Sequence, residues 1–288
     1  MPIDISHLRT WIGRTESAQD IVTPRLVSEY QATFEPSLAE QPEGHAPLGL
    51  QWCLTPPIAR QDGLGPDGHP ARGGFLPPVP LPRRMWAGGR IETSGALTVG
   101  ETVTRRSVIE DVTLKEGRSG ALCFVTVRHA YSGAAGIAIT ERHDIVYRDP
   151  PPPAQGGAPV AAAARPAEPS PADLAWEAEA TSALLFRYSA MTFNGHRIHY
   201  DEPYVTAVEG YPGLVVHGPL QATLLFNIAA ALGGATPRVF DYRGLAPMFA
   251  PTTFQVLGRK AEDGTIRCWT EDRDGRTCME GTAEFGPA

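Results

Sequence analysis

The segment 185–232, LFRYSAMTFNGHRIHYDEPYVTAVEGYPGLVVHGPLQATLLFNIAAAL, determines how the rest of the chain can be arranged. The segment begins within a short apolar and aromatic run at 184–188, which we interpret as a strand. A polar turn follows, and then an apolar segment that enters at Gly218-Pro219 and continues to Leu232. Apolar residues recur there at three- and four-residue steps with no charge between them. The pattern therefore predicts a helix that is buried nearly all round.

The polar turn before this helix contains Asn194 and four titratable residues: His196, Arg197, His199 and Asp201. A helix N-terminus presents unpaired N–H groups and a partial positive charge, which can stabilise negative charge on a carbonyl oxygen. A histidine held nearby can move protons at neutral pH. Together these groups favour chemistry at a thioester-conjugated double bond, where water adds to the β-carbon and the carbonyl collects enolate charge.

Length, charge and cysteine content limit the classes of protein to which the chain can belong. With 288 residues it can form one large domain or two medium ones. A formal charge of −7 and a pI near 5.6 argue against a nucleic-acid surface and against an anionic membrane. Four scattered cysteines indicate free thiols in a reducing cytosol. Because neither a signal run nor a membrane-spanning run is present, we expect a cytoplasmic protein.

A helical pattern followed by strands occurs twice along the chain. Residues 6–34 have a helical pattern, with Thr23-Pro24 as N-cap and first-turn proline, and residues 35–84 form a proline- and glycine-rich covering loop. Strands are predicted between 86 and 148 and again from 238 to 285. Residues 149–172 have the composition of a linker. The pattern alone indicates an α+β protein with a duplicated element and antiparallel strands.

Two motifs, RYSAMTFNGHRIHYD at 187–201 and EGYPGLVVHGPL at 209–220, resemble the C-terminal half of the double hot-dog hydratases. These enzymes form the MaoC-like or hydratase-2 group. The chain is most similar to its type 2 hydroxyacyl-thioester dehydratase branch, which includes bacterial 3-methylfumaryl-CoA (mesaconyl-CoA) hydratases. Markers in the first half extend the resemblance over most of the chain: DGHP at 67–70, RRMWAGGRIE at 83–92, VTLKEGRSGALCFVTVRH at 112–129 and ITERHDIVYR at 139–148.

The resemblance implies a double hot-dog fold, in which two antiparallel sheets are each wrapped around a central helix. It divides the chain into an N-terminal hot-dog at 1–148, the Pro/Ala-rich linker at 149–172 and a C-terminal hot-dog at 173–288. The first half has no Asn/His turn before its own helix. We therefore expect that half to be catalytically silent and to accommodate the acyl chain or coenzyme A, while the second half carries the hydratase motif.

The catalytic assignment departs from the family pattern at one position. The family places an Asp five residues before its catalytic His, and this sequence has Asn194 before His199. Because an amide cannot accept a proton at neutral pH, we expect His199 to move the protons and Asn194 to orient the water. Asp201 or His196 as a second proton-transfer group stays an alternative. The backbone N–H of Gly218, with His217 beside it, is the candidate oxyanion donor.

An acidic protein that binds coenzyme A needs a few local arginines for the phosphates, and a substrate with a free carboxylate needs another. We predict that Arg187 binds that carboxylate and that Trp86 and Arg90 close the pocket from the first half. The other candidate substrate-binding residues are Tyr188, His196, Arg197, Asp201, His217 and Arg243.

Three further patterns are not interpreted as sites. HRIHYD at 196–201 lacks the Glu of a zincin helix and has no cysteine near it, so we expect no metal. GLGPDG at 63–68 matches GxGxxG, but it contains a proline and neither follows a strand nor opens a helix. GRSGA at 117–121 ends in alanine, which departs from a nucleophile elbow.

We therefore predict an enzyme that reversibly hydrates an α,β-unsaturated acyl-CoA. The resemblance points to a branched C5 dicarboxylic acyl group, as in 3-methylfumaryl-CoA to citramalyl-CoA or an itaconyl-CoA type of substrate. The alternatives are a 3-hydroxyacyl-thioester dehydratase acting on acyl carrier protein or CoA, a non-catalytic thioester-binding protein and, as a lesser option, a thioesterase. We expect no cofactor besides the coenzyme A of the substrate, no nucleic-acid or membrane partner, and a homodimer as one oligomeric state.

Overall fold

The structure is a computed structural model, and it describes residues 3–117, 120–149 and 171–286. The helices among these residues are α1 (Ile5–Arg9), α2 (Pro24–Phe34), α3 (Ser182–Met191), α4 (Glu202–Ala207) and α5 (Gly218–Gly233). The strands are β1 (Thr15–Ile21), β2 (Arg83–Thr93), β3 (Thr102–Gly117), β4 (Gly120–Gly133), β5 (Gly136–Arg148), β6 (Leu174–Ala180), β7 (Leu214–Val215), β8 (Val239–Gly244), β9 (Phe249–Ala250), β10 (Thr252–Lys260), β11 (Ile266–Glu271) and β12 (Thr277–Glu284). Short 3₁₀ helices lie at Leu50–Cys53, Gln61–Gly63 and Arg197–His199.

Ten of these strands form one antiparallel sheet in the order β1-β3-β4-β5-β2-β8-β12-β11-β10-β6. The first five strands in this order come from the first half of the chain and the last five from the second half. Strand β2 pairs with β8, so the two expected sheets are joined edge to edge into one. A Cβ on Gly89 would overlap the carbonyl oxygen of Arg142 and the side chain of Tyr242. Glycine therefore permits the close approach of strands at this junction.

Helix α5 is the central helix of the second half, as its apolar sequence predicts. Its residues from Leu220 to Ala230 are buried, and it packs against β6, β8, β10, β11 and β12. Burying one large side chain of this kind contributes about 1.5–3 kcal/mol. Pro219 occupies the first turn and Gly234, with φ of 71°, ends the helix in the left-handed conformation. The predicted start and end of this helix are confirmed.

Among the described residues of the first half, no helix is equivalent to α5. Residues 35–82 form the predicted covering loop, which contains the short 3₁₀ helices Leu50–Cys53 and Gln61–Gly63. Helix α2, capped by Thr23 as predicted, packs against α3. The expectation of a central helix in each half is thus met in the second half and not in the first. The inner face of β3, β4 and β5 lines a large cavity instead.

Two predictions of local structure are wrong. The run at 184–188 lies in α3 and is not a strand: the Thr181 side chain accepts a hydrogen bond from the N–H of Leu184, and Leu185 and Tyr188 are buried at helical spacing. A short apolar run fits a buried helix as well as a strand. The pattern at 6–34 is not one helical region either, because β1 interrupts it and pairs with β3 at the edge of the sheet.

Other predictions concern the linker, the cysteines and the membrane. The predicted linker at 149–172 falls mostly on residues 150–170, which lie outside the described residues. The four cysteines are free, as predicted, and buried, with Cys123 on β4 and Cys268 on β11. None of the helices in the described part of the chain is long and apolar enough to cross a membrane.

Candidate active site

A cavity of about 1750 Å³ lies between the first-half strands, the covering loop and the start of α5. Both halves contribute to its wall. Among the candidate residues named from the sequence, those that line it are Trp86, Tyr188, Asn194, His196, His199, Gly218 and Arg243. The volume exceeds that of a typical small-molecule pocket, so it can hold a large, elongated ligand.

His199 ends the 3₁₀ turn Arg197–His199 and is buried beside the cavity. Its Nδ1 lies 2.7 Å from the carbonyl oxygen of Val215. A carbonyl can only accept, so Nδ1 carries the hydrogen and Nε2 keeps the lone pair. Burial lowers the pKa of His199 to about 4, against the opposing effect of the bond to Val215. The imidazole is therefore neutral at pH 7 and able to accept a proton.

The ring of His199 stacks on that of His217, with 3.6 Å between centroids and 17° between planes. His217 is the residue immediately before α5, and its Nε2 lies 2.9 Å from Oγ of Ser189. The catalytic candidate thus lies against the start of a 16-residue buried helix, as the sequence predicts. Gly218, the first helical residue, lines the cavity next to Trp86. Its N–H belongs to the first turn, where helical N–H groups have no intrahelical acceptor.

Asn194 lies in the turn that precedes His199. Its side-chain oxygen accepts a hydrogen bond of 3.0 Å from the N–H of His196, and its own N–H donates to the carbonyl of Ser189 at 2.8 Å. The oxygen of the amide therefore fixes the turn. The NH₂ group of the same side chain is the part left to face a ligand in the cavity. This geometry accommodates the replacement of the family's Asp without leaving a buried charge.

A histidine of the first half, which the sequence did not single out, lies beside these residues. Nδ1 of His69 is 2.9 Å from the Asp67 carboxylate, and its ring packs on that of His196 with centroids 4.0 Å apart. His69 also lines the cavity. Burial lowers the pKa of His69 to about 4 although the bond to Asp67 opposes this. The Asp-x-His spacing within DGHP could have drawn attention to His69. Only the tertiary structure, however, shows that this histidine lies beside His196.

The first half contributes side chains to the site, and its catalytic silence stays a prediction. Glu141 accepts hydrogen bonds from Trp52 at 2.9 Å and from Tyr242 at 3.3 Å. Burial raises the pKa of Glu141 to about 7. His143 packs on Trp86 with 4.1 Å between centroids. Glu141 and His143 were missed because polar and apolar residues alternate along β5, and this alternation does not show which face of the sheet encloses the cavity.

Several candidate residues named from the sequence have structural contacts instead. Arg197 pairs with Asp201 at 2.8 Å and donates to the carbonyl of Pro66 at 3.0 Å, while Asp201 caps α4. Neither side chain lines the cavity. They hold the turn that carries Asn194 and His199 against the covering loop, which corrects their assignment to substrate binding.

The predicted arginines fall in three different places. Arg187 lies on the outer face of α3 and donates to the carbonyl of Ala32 at 3.3 Å, so the structure contradicts its role as carboxylate ligand. Arg90 pairs with Asp241 at 2.6 Å across the junction of β2 and β8, also outside the cavity wall. Arg243 lines the cavity but is largely exposed and pairs with Glu280 at 2.8 Å.

A metal site is not the best interpretation of the histidine cluster. Ligand atoms of Asp67, His69 and His196 lie within 4.8 Å of one another. The rings of His69 and His196, however, pack against each other with 4.0 Å between centroids and 37° between planes. Asp67 already accepts hydrogen bonds from the N–H and from Nδ1 of His69. The absence of a bound metal stays a prediction.

Solved structures similar to this one share its fold. HtdX of Mycobacterium tuberculosis superposes with a TM-score of 0.65 at 17% identity, covering 95% of this chain and 100% of that one. Another M. tuberculosis protein, described as having a double hotdog fold, superposes with a TM-score of 0.55 at 14% identity and covers 94% and 95% of the two chains. The predicted α+β double hot-dog fold is confirmed.

Sequence comparison adds closer relatives. Mesaconyl-C(4)-CoA hydratase of Chloroflexus aurantiacus is 42% identical over 284 residues, which cover 96% of this chain and 97% of that protein. The family model of hydroxyacyl-thioester dehydratase type 2 matches residues 49–250. That range contains the histidine cluster, the Asn194 turn and the start of α5. The chain is thus a member of the hydroxyacyl-thioester dehydratase type 2 family.

Proposed function

We propose that this chain is a hydro-lyase that reversibly adds water to the double bond of an α,β-unsaturated acyl-CoA. The observation that carries the proposal is the position of His199, whose Nε2 keeps its lone pair, in the wall of a large cavity beside the first turn of α5. The identity to a mesaconyl-C(4)-CoA hydratase favours a branched C5 dicarboxylic acyl group. 3-Methylfumaryl-CoA, which would give citramalyl-CoA, and an itaconyl-CoA type of substrate are the compounds we propose.

In the hydration direction, Nε2 of His199 takes a proton from water as the water oxygen bonds to the β-carbon. The π electrons of the double bond move towards the thioester, and negative charge develops on its oxygen. The imidazolium then returns the proton to the α-carbon, so the β-carbon gains OH and the α-carbon gains H. General acid–base help of this kind contributes about two to four powers of ten in rate.

The thioester oxygen needs a donor where its charge develops. Gly218 lines the cavity at the positive end of α5, adjacent to the stacked His199–His217 pair, and its N–H is the donor that we propose. A backbone donor of this kind is already in position, so it need not reorient during the reaction. In other enzymes, removal of one such donor lowers the rate on the order of 100- to 1000-fold. The NH₂ group of Asn194 would hold the attacking water, since its oxygen is used by the N–H of His196.

The reaction needs no cofactor besides the coenzyme A of the substrate, because only protons and one water molecule are moved. We further propose a cytoplasmic location, which the four free, buried cysteines support. A homodimer is proposed as the oligomeric state. Size-exclusion chromatography with light scattering tests it directly.

Replacing His199 by Ala tests the mechanism. We expect the hydration rate to fall by at least 100-fold, because the proton acceptor is lost while the cavity remains. The measurement is the loss of absorbance of the conjugated thioester with a panel of enoyl-CoA esters. His7→Ala, at an exposed histidine of α1, is the matched control and should leave the rate unchanged. Near-normal turnover by the His199 variant, with an unchanged circular dichroism spectrum, would refute the assignment.

A second candidate function follows from the description of the family. A hydroxyacyl-thioester dehydratase runs the same chemistry in reverse. We propose acyl carrier protein as the alternative carrier of its substrate. Rates with a CoA ester and with the matching carrier-bound ester separate the two. A preference of tenfold or more for the carrier-bound ester would favour the second function.

A further inference from the structure

Arg84 enters the cavity wall from the first half. It lies on β2, opposite Tyr147 of β5 and two residues before Trp86, on the strand face that is turned to the cavity. The half-buried side chain borders both the main cavity and a small adjoining pocket that Asp67 and His196 also line. Its guanidinium is therefore placed between the histidine cluster and the enclosed part of the first half.

Among the described residues, Arg84 forms no salt bridge with a carboxylate. Four other arginines of the cavity wall do: Arg83 with Glu209, Arg105 with Glu16, Arg243 with Glu280 and Arg276 with Asp272. Arg148 and Arg273 also line the cavity without a salt bridge among the described residues, but neither borders the small pocket that Arg84 shares with His196. Arg72 donates to the carbonyls of Val79, Leu81 and Pro82. Because a half-buried guanidinium loses much of its hydration, a site of this kind favours an anionic ligand.

The charge of Arg84 is close to the residues around His199. Burial lowers the pKa of His143 to about 3, and the Arg84 guanidinium adds to that effect. The same guanidinium helps to lower the pKa of His69, which is half-buried, and of His196, which is buried. The ring centroid of His196 lies 5.4 Å from that of His199. Because Arg84 and His196 line the same small pocket, a ligand group bound by Arg84 would lie on the side of the cavity where His196 contacts the proposed base.

We propose that Arg84 binds the free carboxylate of the acyl group and makes the enzyme selective for dicarboxylic enoyl-CoA esters, an inference that rests on the proposed function. In 3-methylfumaryl-CoA the carboxylate is attached to the carbon that receives the water, so its ligand has to lie close to His199. Phosphates of coenzyme A are much farther from that carbon. A guanidinium can hold a carboxylate through two parallel hydrogen bonds and so fix the double bond in front of the base.

The test uses two substrates that differ only at this group: fumaryl-CoA, with a carboxylate on the β-carbon, and crotonyl-CoA, with a methyl group there. We expect Arg84→Gln to lower kcat/KM for fumaryl-CoA on the order of 100-fold and to change kcat/KM for crotonyl-CoA by less than about threefold. Arg84→Lys should fall between, because it keeps the charge and loses the fork. Arg60→Gln, at an exposed arginine of the covering loop, is the control and should change neither value.

Equilibrium binding separates this inference from the proposed function. The unreactive analogues succinyl-CoA and butyryl-CoA differ in the same group, and the native protein should bind succinyl-CoA more tightly. Arg84→Gln should abolish that difference. If native protein shows the binding preference but hydrates no enoyl-CoA, the proposed function fails and the assignment of Arg84 as carboxylate ligand stands. Equal losses on both substrates, or an unchanged preference in the variant, would overturn the role of Arg84.

Discussion

At the scale of the residue, the hydrogen bond from His199 to Val215 decides which ring nitrogen meets the substrate. It fixes Nε2 as the acceptor, and burial against His217 keeps the ring neutral. His199, Asn194 and Gly218 could be proposed from the sequence because they lie in one local motif. Asp67, His69 and Arg84 could not be placed there, since only the tertiary fold brings them to the site. Arg187 was misplaced because its helix was interpreted as a strand, which changes the direction of the side chain.

The lowered pKa of His199 leads to a prediction about the pH dependence of the rate. The neutral imidazole is the active form, and it persists above its pKa of about 4. We therefore expect kcat/KM to stay flat from pH 8 down to about 5.5, with no inflection near the ordinary histidine value of 6.5. Initial rates in short assays measure this, with circular dichroism recorded at each pH. A midpoint near 6.5 in fully folded protein would show that His199 is not the base or is not desolvated.

At the scale of the element, the covering loop and the turn that carries Asn194 and His199 are held together by contacts at backbone atoms. The N–H of Arg197 donates to the carbonyl of Asp67 at 2.9 Å, and its guanidinium donates to the carbonyl of Pro66. Gly68 lies directly against Gly195, with φ of 85°. The α5 helix could be predicted because its pattern is local and strong. This contact could not, because it depends on a loop that carries no periodic signal.

Gly68→Ala should separate the loop from the turn, because a Cβ at this position would overlap the carbonyl oxygen of Gly195. We expect kcat/KM to fall on the order of 100-fold, since displacements of about 1 Å near a site have that effect. Gly44→Ala is the matched control: its φ of 80° brings similar backbone strain, but nothing lies within 4 Å of the added Cβ. Equal activity of the two variants would show that the contact does not position the site.

At the scale of the whole molecule, the sheet is shared and the halves are unequal. The first half leaves the inner face of its strands open to the cavity, and the second half fills the same space with α5. The duplicated α+β pattern was visible in the sequence. The loss of one central helix was not, because a glycine- and proline-rich loop predicts only the absence of regular structure and not what occupies the space.

Six histidines of the described chain have lowered pKa values, chiefly because of burial: His69, His129, His143, His196, His199 and His217. They are neutral in the folded protein and take up protons on unfolding below about pH 6.5. Glu141, whose pKa burial raises to about 7, opposes one of them. The free energy of unfolding should therefore fall as the pH drops from 6.5 towards 4, by up to about 1.4 kcal/mol per pH unit for each net histidine.

Urea unfolding at pH 7.5, 6.5 and 5.5 measures this loss. His143→Gln should show a shallower pH dependence, because one neutral buried imidazole is removed, whereas the exposed His7→Gln should not alter the slope. A free energy of unfolding that is the same at pH 7.5 and 5.5 would contradict the prediction.

The pairing of β2 with β8 gives the chain the character of a dimer whose two subunits are encoded as one polypeptide. An association that would otherwise depend on concentration is here fixed at one to one, because each half is covalently tethered to the strand edge it has to cover. Because the halves belong to one chain, they also need not have the same sequence or structure. One copy can give up its helix for ligand space while the other keeps the helix and the base, a division of labour that a symmetric assembly of identical subunits cannot make.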